Sequence, residues 1–197
     1  MILIIGDIHE KVGQYRKLLK RHKPAYSFQL GDFGFQKEYD HYLEYCRQED
    51  RIVMGNHDYY PYIEKYPNRF YNRGRYGLEG CQIMTIRGAD SIDKYRRIED
   101  IDWFKEEEMS YQEQLKCYDD YCSYRPDIVL SHTAPRSIVK ELFNIDTKST
   151  TSQMMDHMFQ DHQPLLWVFG HFHKSIQRVI EGTEFICLDE LETLELV

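Results

Sequence analysis

The opening stretch Met1-Ile2-Leu3-Ile4-Ile5-Gly6-Asp7-Ile8-His9 decides how the rest of the chain is read. Its apolar run, without alternation, reads as a strand buried on both faces, the kind found inside α/β folds. The run stops at Gly6 and places Asp7 and His9 just past the strand end. The pattern then recurs. Run 26–30 ends at Gly31-Asp32, run 52–54 at Gly55-Asn56-His57-Asp58, run 128–130 at Ser131-His132, and run 165–169 at Gly170-His171-Phe172-His173. Each predicted strand hands a carboxylate, amide or imidazole to the edge where open α/β sheets bind ligands.

Helical stretches fall between these runs. Segment 14–22 aligns Tyr15, Leu18, Leu19 and His22, and segment 38–47 aligns Tyr39, Tyr42, Leu43 and Cys46. Ser110 with Glu113 forms the signature of a capping box that opens a helix reaching about Ser123. Segment 151–160 is a further helix. The tail reads as short strands at Ile176–Ile180, 184–188 and 191–197, with Glu181-Gly182 as a turn. Strands alternating with helices predict an α/β fold, and the tail predicts mixed sheets or a two-sheet sandwich. No linker or repeat divides the chain, so one domain over residues 1–197 is expected.

The composition narrows the function. The chain of 197 residues carries 25 Lys+Arg against 33 Asp+Glu, a net charge of −8, which disfavours a broadly basic nucleic-acid binder. Its 42% hydrophobic content excludes a disordered chain. No apolar run approaches the ~20 residues needed to cross a bilayer, and the N-terminal run lacks the basic flank of a signal peptide. Five cysteines (Cys46, Cys81, Cys117, Cys122, Cys187) contain no Cys-x-x-Cys pair. A disulfide framework or thiolate zinc site is not expected, and a cytoplasmic location fits. Carboxylate oxygens mixed with imidazole nitrogens instead suit Mn, Fe, Zn or Ni.

Taken singly, the strand-end histidines read as structural. Taken in order, Asp7-Ile8-His9, Gly31-Asp32, Gly55-Asn56-His57-Asp58, Ser131-His132 and Gly170-His171-Phe172-His173 resemble the calcineurin-like metallophosphoesterase superfamily across residues 7–173. Gly88-Ala89-Asp90-Ser91-Ile92-Asp93-Lys94 and Ser131-His132-Thr133-Ala134-Pro135 are similar to its small bacterial and phage members. The resemblance implies a four-layer α/β/β/α sandwich and two divalent ions, Mn²⁺ foremost, with Fe, Zn or Ni as alternatives. Asp7, His9, Asp32 and His173 would hold the first ion. Asp32, Asn56, His132 and His171 would hold the second, with Asp32 bridging. His57 would protonate the leaving-group oxygen or stabilise charge there.

The resemblance also implies a phosphate-ester substrate attacked by a metal-activated hydroxide. A phosphodiester of nucleotide or nucleic-acid type ranks first. A phosphomonoesterase, protein phosphatases included, or a non-catalytic metal-binding scaffold are the alternatives. The Ser/Thr phosphatase branch carries Gly-Asp-x-x-Asp-Arg-Gly and Arg-Gly-Asn-His-Glu. Here Phe35, Gln36, Met54 and Asp58 stand at the corresponding positions, so two phosphate-gripping arginines are missing. Arg96, Arg97 and Arg136 are the candidate replacements, and no residue is evident to orient His57. Asp58 reads as a helix cap or turn residue. Residues 39–76 hold nine of the 16 tyrosines beside Arg69, Arg73 and Arg75. They read first as packing and second as a base-stacking surface.

Overall fold

Strand β1 (Ile2–Ile5) is buried along its whole length, and its pleat sends alternate side chains to opposite faces. Ile2 and Ile4 join Phe28, Leu30, Ile83, Leu130 and Val168 in one cluster. Leu3 and Ile5 join Tyr15, Phe33, Ile52 and Met54 in another. One strand thus serves two cores, which explains the unbroken apolar run. This arrangement is seen in a computed structural model describing residues 1–34, 47, 49–61, 65–67, 70–71 and 73–196.

The first sheet pairs β1 in parallel with β2 (Tyr26–Gln29), followed by β3 (Asp50–Val53) and β4 (Phe70–Tyr71). The last strand, β11 (Thr193–Leu196), returns antiparallel to β1, giving the order β11-β1-β2-β3-β4. The second sheet contains β5 (Arg73–Leu78), β6 (Cys81–Ile86), β7 (Ile128–Ser131), β8 (Leu166–Phe169), β9 (Ile176–Ile180) and β10 (Thr183–Cys187). Its order is β5-β6-β7-β8-β10-β9. Helix α1 (Val12–His22) covers the outer face of the first sheet. Helices α2 (Tyr111–Tyr124), α3 (Arg136–Phe143) and α4 (Thr150–Asp161) cover the second. The result is the expected α/β/β/α sandwich of two mixed sheets. No helix of the described residues is long and apolar enough to cross a membrane.

Local signals place several elements. Ser110 accepts from the Glu113 amide while the Glu113 carboxylate accepts from the Ser110 amide, so the capping box opens α2. Glu181 and Gly182 have φ of 49° and 84°, the paired positive values of a tight hairpin turn. Other elements went unforeseen. The β5–β6 hairpin starts with Arg73, Gly74, Arg75 and Gly77, which hide its alternation. Helix α3 has only eight residues. The helix expected over 38–47 lies outside the described residues except for Arg47. Of the tyrosine-rich stretch, Tyr60 packs beside Phe104 and Tyr76 lies against the inter-sheet cluster.

Trp167 anchors the second core. It is fully buried, stacked at 5.9 Å on Phe185, and its indole N–H donates to Ser131 Oγ at 2.8 Å. That hydroxyl donates onward to the Thr133 carbonyl, so core packing fixes the turn that carries His132. Trp167→Ala should therefore cost about 3–5 kcal/mol, measured by urea unfolding. A loss below about 1 kcal/mol would show that the cluster tolerates the cavity, against the usual cost of such truncations.

Candidate metal centre

The parallel strands of both sheets point their C-terminal ends at one place. Asp7 and His9 follow β1, Asp32 follows β2, and Asn56 and His57 follow β3. His132 follows β7, and His171 and His173 follow β8. Each sheet contributes part of the set, so the site exists only when the two sheets are packed together.

The backbone is bent to bring these groups together. His9, Asp32, His171 and His173 have φ of 40°, 55°, 69° and 49°. A left-handed conformation costs an L-residue roughly 1–2 kcal/mol, and such outliers concentrate at functional sites. Asn56, a residue type that often takes left-handed turns, is not among them. The crowding also requires glycine. A methyl group at Gly55 would overlap Asp32 Oδ1, and one at Gly31, with φ of 98°, would overlap the His132 ring.

Two sets of ligand atoms result, and Asp32 belongs to both: Asp7, His9, Asp32 and His173 form one, and Asp32, His132 and His171 the other. In the first, His9 Nε2 and His173 Nε2 face each other at 2.8 Å. Asp7 Oδ2 lies 3.2 Å from His173 Nε2, and Asp32 Oδ2 lies 3.7 Å from His9 Nε2. In the second, His132 Nε2 lies 3.2 Å from Asp32 Oδ1 and 2.9 Å from Asn56 Oδ1. Imidazole nitrogens and carboxylate oxygens converging this closely fit divalent cations. All seven residues expected to be ligands are therefore gathered here.

The surroundings fix how these groups present themselves. His132 is fully buried, with Nδ1 2.6 Å from the Leu30 carbonyl, so Nε2 faces the cluster. Burial opposes its charge, but the Asp32 and Asp7 carboxylates outweigh burial and push it up to about 10. His171 goes the other way. Burial, with the His132 charge beside it, pushes it down to about 3. Burial works against the charged form of Asp32 too, yet its histidine neighbours, His132 foremost, hold it well below the carboxylate range.

Asn56 is aimed by a relay. Its Nδ2 donates to Ser91 Oγ at 3.0 Å, and Ser91 Oγ donates to the buried Glu107 carboxylate at 2.6 Å. With the amide nitrogen so occupied, Oδ1 is left for the cluster. Asp58 does more than cap a local turn. Its buried carboxylate accepts from the backbone amides of Asp32 at 3.0 Å, Gly34 at 2.9 Å and Gly55 at 2.7 Å. It thereby ties the loops after β2 and β3 together, and burial plus the Asp32 charge push it up to about 7.

His57 has a partner that sequence reading did not find. Arg97 Nη2 lies 3.1 Å from His57 Nε2, and the His57 amide donates to Asp32 Oδ1 at 2.8 Å. Arg97 is itself clamped by two 2.9 Å bonds to Asp93 and one of 3.0 Å to the Asp102 carbonyl. The i,i+4 spacing of Asp93 and Arg97 was the available signal. Of the other two candidate arginines, Arg96 lies over Tyr95, and Arg136 pairs with Asp146. Neither lines the cavity of about 810 Å³ that opens above the cluster, whereas Arg97 does.

Two outcomes follow for cation binding. At neutral pH the second set can take a cation only after His132 loses its proton, so affinity there should rise with pH towards about 10. Calorimetry in buffers of different ionisation enthalpy should show about one proton released per ion bound at that set. No release at pH 7.5 would contradict the raised His132. Ser91→Ala frees the Asn56 amide to turn, and should weaken Mn²⁺ binding about 10–100-fold. Unchanged affinity would show that the relay does not aim Asn56.

Comparison with known proteins agrees with this geometry. Residues 1–175 match the model of the calcineurin-like phosphoesterases. No match is found among curated proteins. The fold is similar to that of a dimetal phosphatase from Danio rerio, with TM-score 0.60, 12% identity, and coverage of 96% of this chain and 87% of that one. It is also similar to the Thermus thermophilus protein TT1561, with TM-score 0.58, 13% identity, and coverage of 96% and 89%. A phosphopantetheinyl hydrolase from Mycobacterium tuberculosis has TM-score 0.52, 13% identity, and coverage of 96% and 89%. With the match spanning every strand end that builds the cluster, the chain belongs to the calcineurin-like phosphoesterase family, hydrolases acting on phosphate esters.

Proposed function

We propose that this chain is a two-metal phosphodiesterase acting on a nucleotide or nucleic-acid type ester. The observation that carries the reading is the pair of ligand sets sharing Asp32. Asp7, His9, Asp32 and His173 would hold one ion, and Asp32, Asn56, His132 and His171 the other. Their oxygen and nitrogen donors suit Mn²⁺, with Fe, Zn or Ni as alternatives. When bound, two such ions supply Lewis-acid activation of water and neutralise charge on the phosphate oxygens.

The remaining chemistry belongs to the chain. Arg97 Nη2 and His57 Nε2 face one another at 3.1 Å beside the cluster. A phosphate oxygen entering there takes over the guanidinium donor and releases His57 Nε2. Burial depresses His57 below its ordinary value, with Arg97 adding to the depression and Asp32 opposing it. The entering phosphate reverses part of that by adding negative charge, and His57 then carries the proton that the leaving oxygen needs. Asp93 holds Arg97 in register throughout.

The diester preference rests on charge. A diester carries one negative charge, which one clamped guanidinium matches. The arginines of the protein-phosphatase branch are replaced here by Gln36 and Met54. One observation favours the phosphomonoester alternative. Lys94 and Lys148 also line the cavity and would suit a dianion, although Lys94 is paired with Asp90 at 2.5 Å.

A screen with Mn²⁺ over mono- and diesters, cyclic nucleotides, dinucleotides and nucleic acids tests the reading. Higher kcat/KM for diesters is expected, and turnover of monoesters alone would refute it. His57→Asn should keep both ions and the fold. Its turnover of esters with poor leaving groups should fall about 10²–10⁴-fold, the usual worth of general acid catalysis. A nitrophenyl ester needs the proton less and should lose less. Equal losses would show that His57 holds the phosphate and does not protonate the leaving group.

A further inference from the structure

The segment joining β6 to α2 carries large apolar side chains that are mostly exposed among the described residues, with the Arg96 guanidinium 5.1 Å from the Tyr95 ring. Ile92 is 90% exposed and Tyr95 75% exposed. Isolated apolar residues on a surface are ordinary, but here they line the mouth of the metal-centre cavity. The same cavity is lined by Ile145, 44% exposed, and Phe172. Phe172 is stacked on Phe143 at 4.2 Å, which makes that wall rigid.

The charges around the mouth are mostly paired among themselves. Asp90 pairs with Lys94, Asp93 with Arg97, and Asp146 with Arg136. What the rim offers an incoming molecule is therefore mainly apolar surface, with Lys148 beside it. Its position also says which part of that molecule it meets. Tyr95 lies two residues before Arg97, whose guanidinium touches His57. If His57 delivers the proton to the leaving oxygen, the leaving group lies on this side.

We infer that Ile92 and Tyr95, which line the cavity together with Ile145 and Phe172, form the subsite for a planar aromatic leaving group of the phosphate ester. This rests on the phosphoesterase reading above and adds a substrate class to it. The aromatic ring enters among these side chains, and Tyr95 stacks on it or abuts its edge, at the separations favoured by aromatic pairs. A nucleobase and a simple aryl group share this chemistry. The rim commits to the ring and not to its hydrogen-bonding edge.

The test uses the Mn²⁺-loaded chain and three methyl diesters, 2-naphthyl methyl phosphate, adenosine 5′-(methyl phosphate) and trifluoroethyl methyl phosphate, with release of naphthol, adenosine and trifluoroethanol measured. Each variant is compared with wild type on the same ester, so leaving-group acidity cancels. The Ile92→Ser/Tyr95→Ser double variant should lose roughly tenfold in kcat/KM on the naphthyl ester, mostly through KM, and distinctly less on the trifluoroethyl ester. Tyr95→Phe should restore most of the loss contributed by Tyr95→Ser. A matching loss on the adenosine ester assigns the subsite to nucleobases, and a loss on the naphthyl ester alone assigns it to aryl groups. Equal losses on all three esters, or none, overturn the inference. Wild type inert towards every phosphate ester would instead overturn the phosphoesterase reading, and this inference with it.

Discussion

Asp32 is buried at the seam between the two sheets, and a carboxylate so placed must be matched by donors or cations. Asp7 is buried beside it. The chain answers with the His57 amide at 2.8 Å and with imidazoles from four different strand ends. Among the described residues it does not answer with a lysine or arginine at the cluster's centre. The Asp32 and Asp7 carboxylates in turn raise the pKa of His132 against the effect of its burial. The fold thus concentrates negative charge and lone pairs at one point and leaves divalent cations to complete the balance. Ions that bind only the folded chain would then stabilise it by mass action.

The loop from Gly88 to Glu107 gives that centre its character. Gly88 donates to the Met54 carbonyl and Ala89 to the Glu107 carbonyl, so the loop is stitched to the end of β3 and to itself. From this frame Ser91 aims Asn56 and Arg97 reaches His57. Two residues that orient the site and two that line its mouth thus come from a single connection. The sheets supply the clustered carboxylates and imidazoles, and this loop holds Asn56 and His57 in place.

The legible part of the chain was the part whose chemistry is local. Unbroken apolar runs marked β1, β7 and β8 because each is buried on both faces, whereas β2, Tyr26-Ser27-Phe28-Gln29, was marked by Tyr26, Phe28 and Leu30 before Gly31 although its Ser27 and Gln29 are buried too. The residues immediately after them are the ones brought together. The capping box at Ser110 and the turn at Glu181-Gly182 were readable because their geometry is set within four residues. The Asn56–Ser91–Glu107 relay and the Asp58 bridge could not be read. Their partners lie 35 and 16 residues apart for the relay, and 24 and 26 residues apart for Asp58. Nothing in local spacing marks such pairs. The β5–β6 hairpin was missed for another reason: two glycines and two arginines in β5 erase the alternation that marks a half-buried strand.

Asp32 is the one carboxylate that both ligand sets share, and the proposed mechanism needs it to serve two cations. Elemental analysis of purified wild type and Asp32→Asn, loaded with Mn²⁺ and gel-filtered, tests this most directly, with circular dichroism to confirm that both are folded. Two ions per chain are expected in the wild type, as in two-metal hydrolases. The variant, whose amide oxygen is a much weaker ligand, should lose both. Two ions retained in folded Asp32→Asn would contradict the shared-ligand assignment and the mechanism built on it.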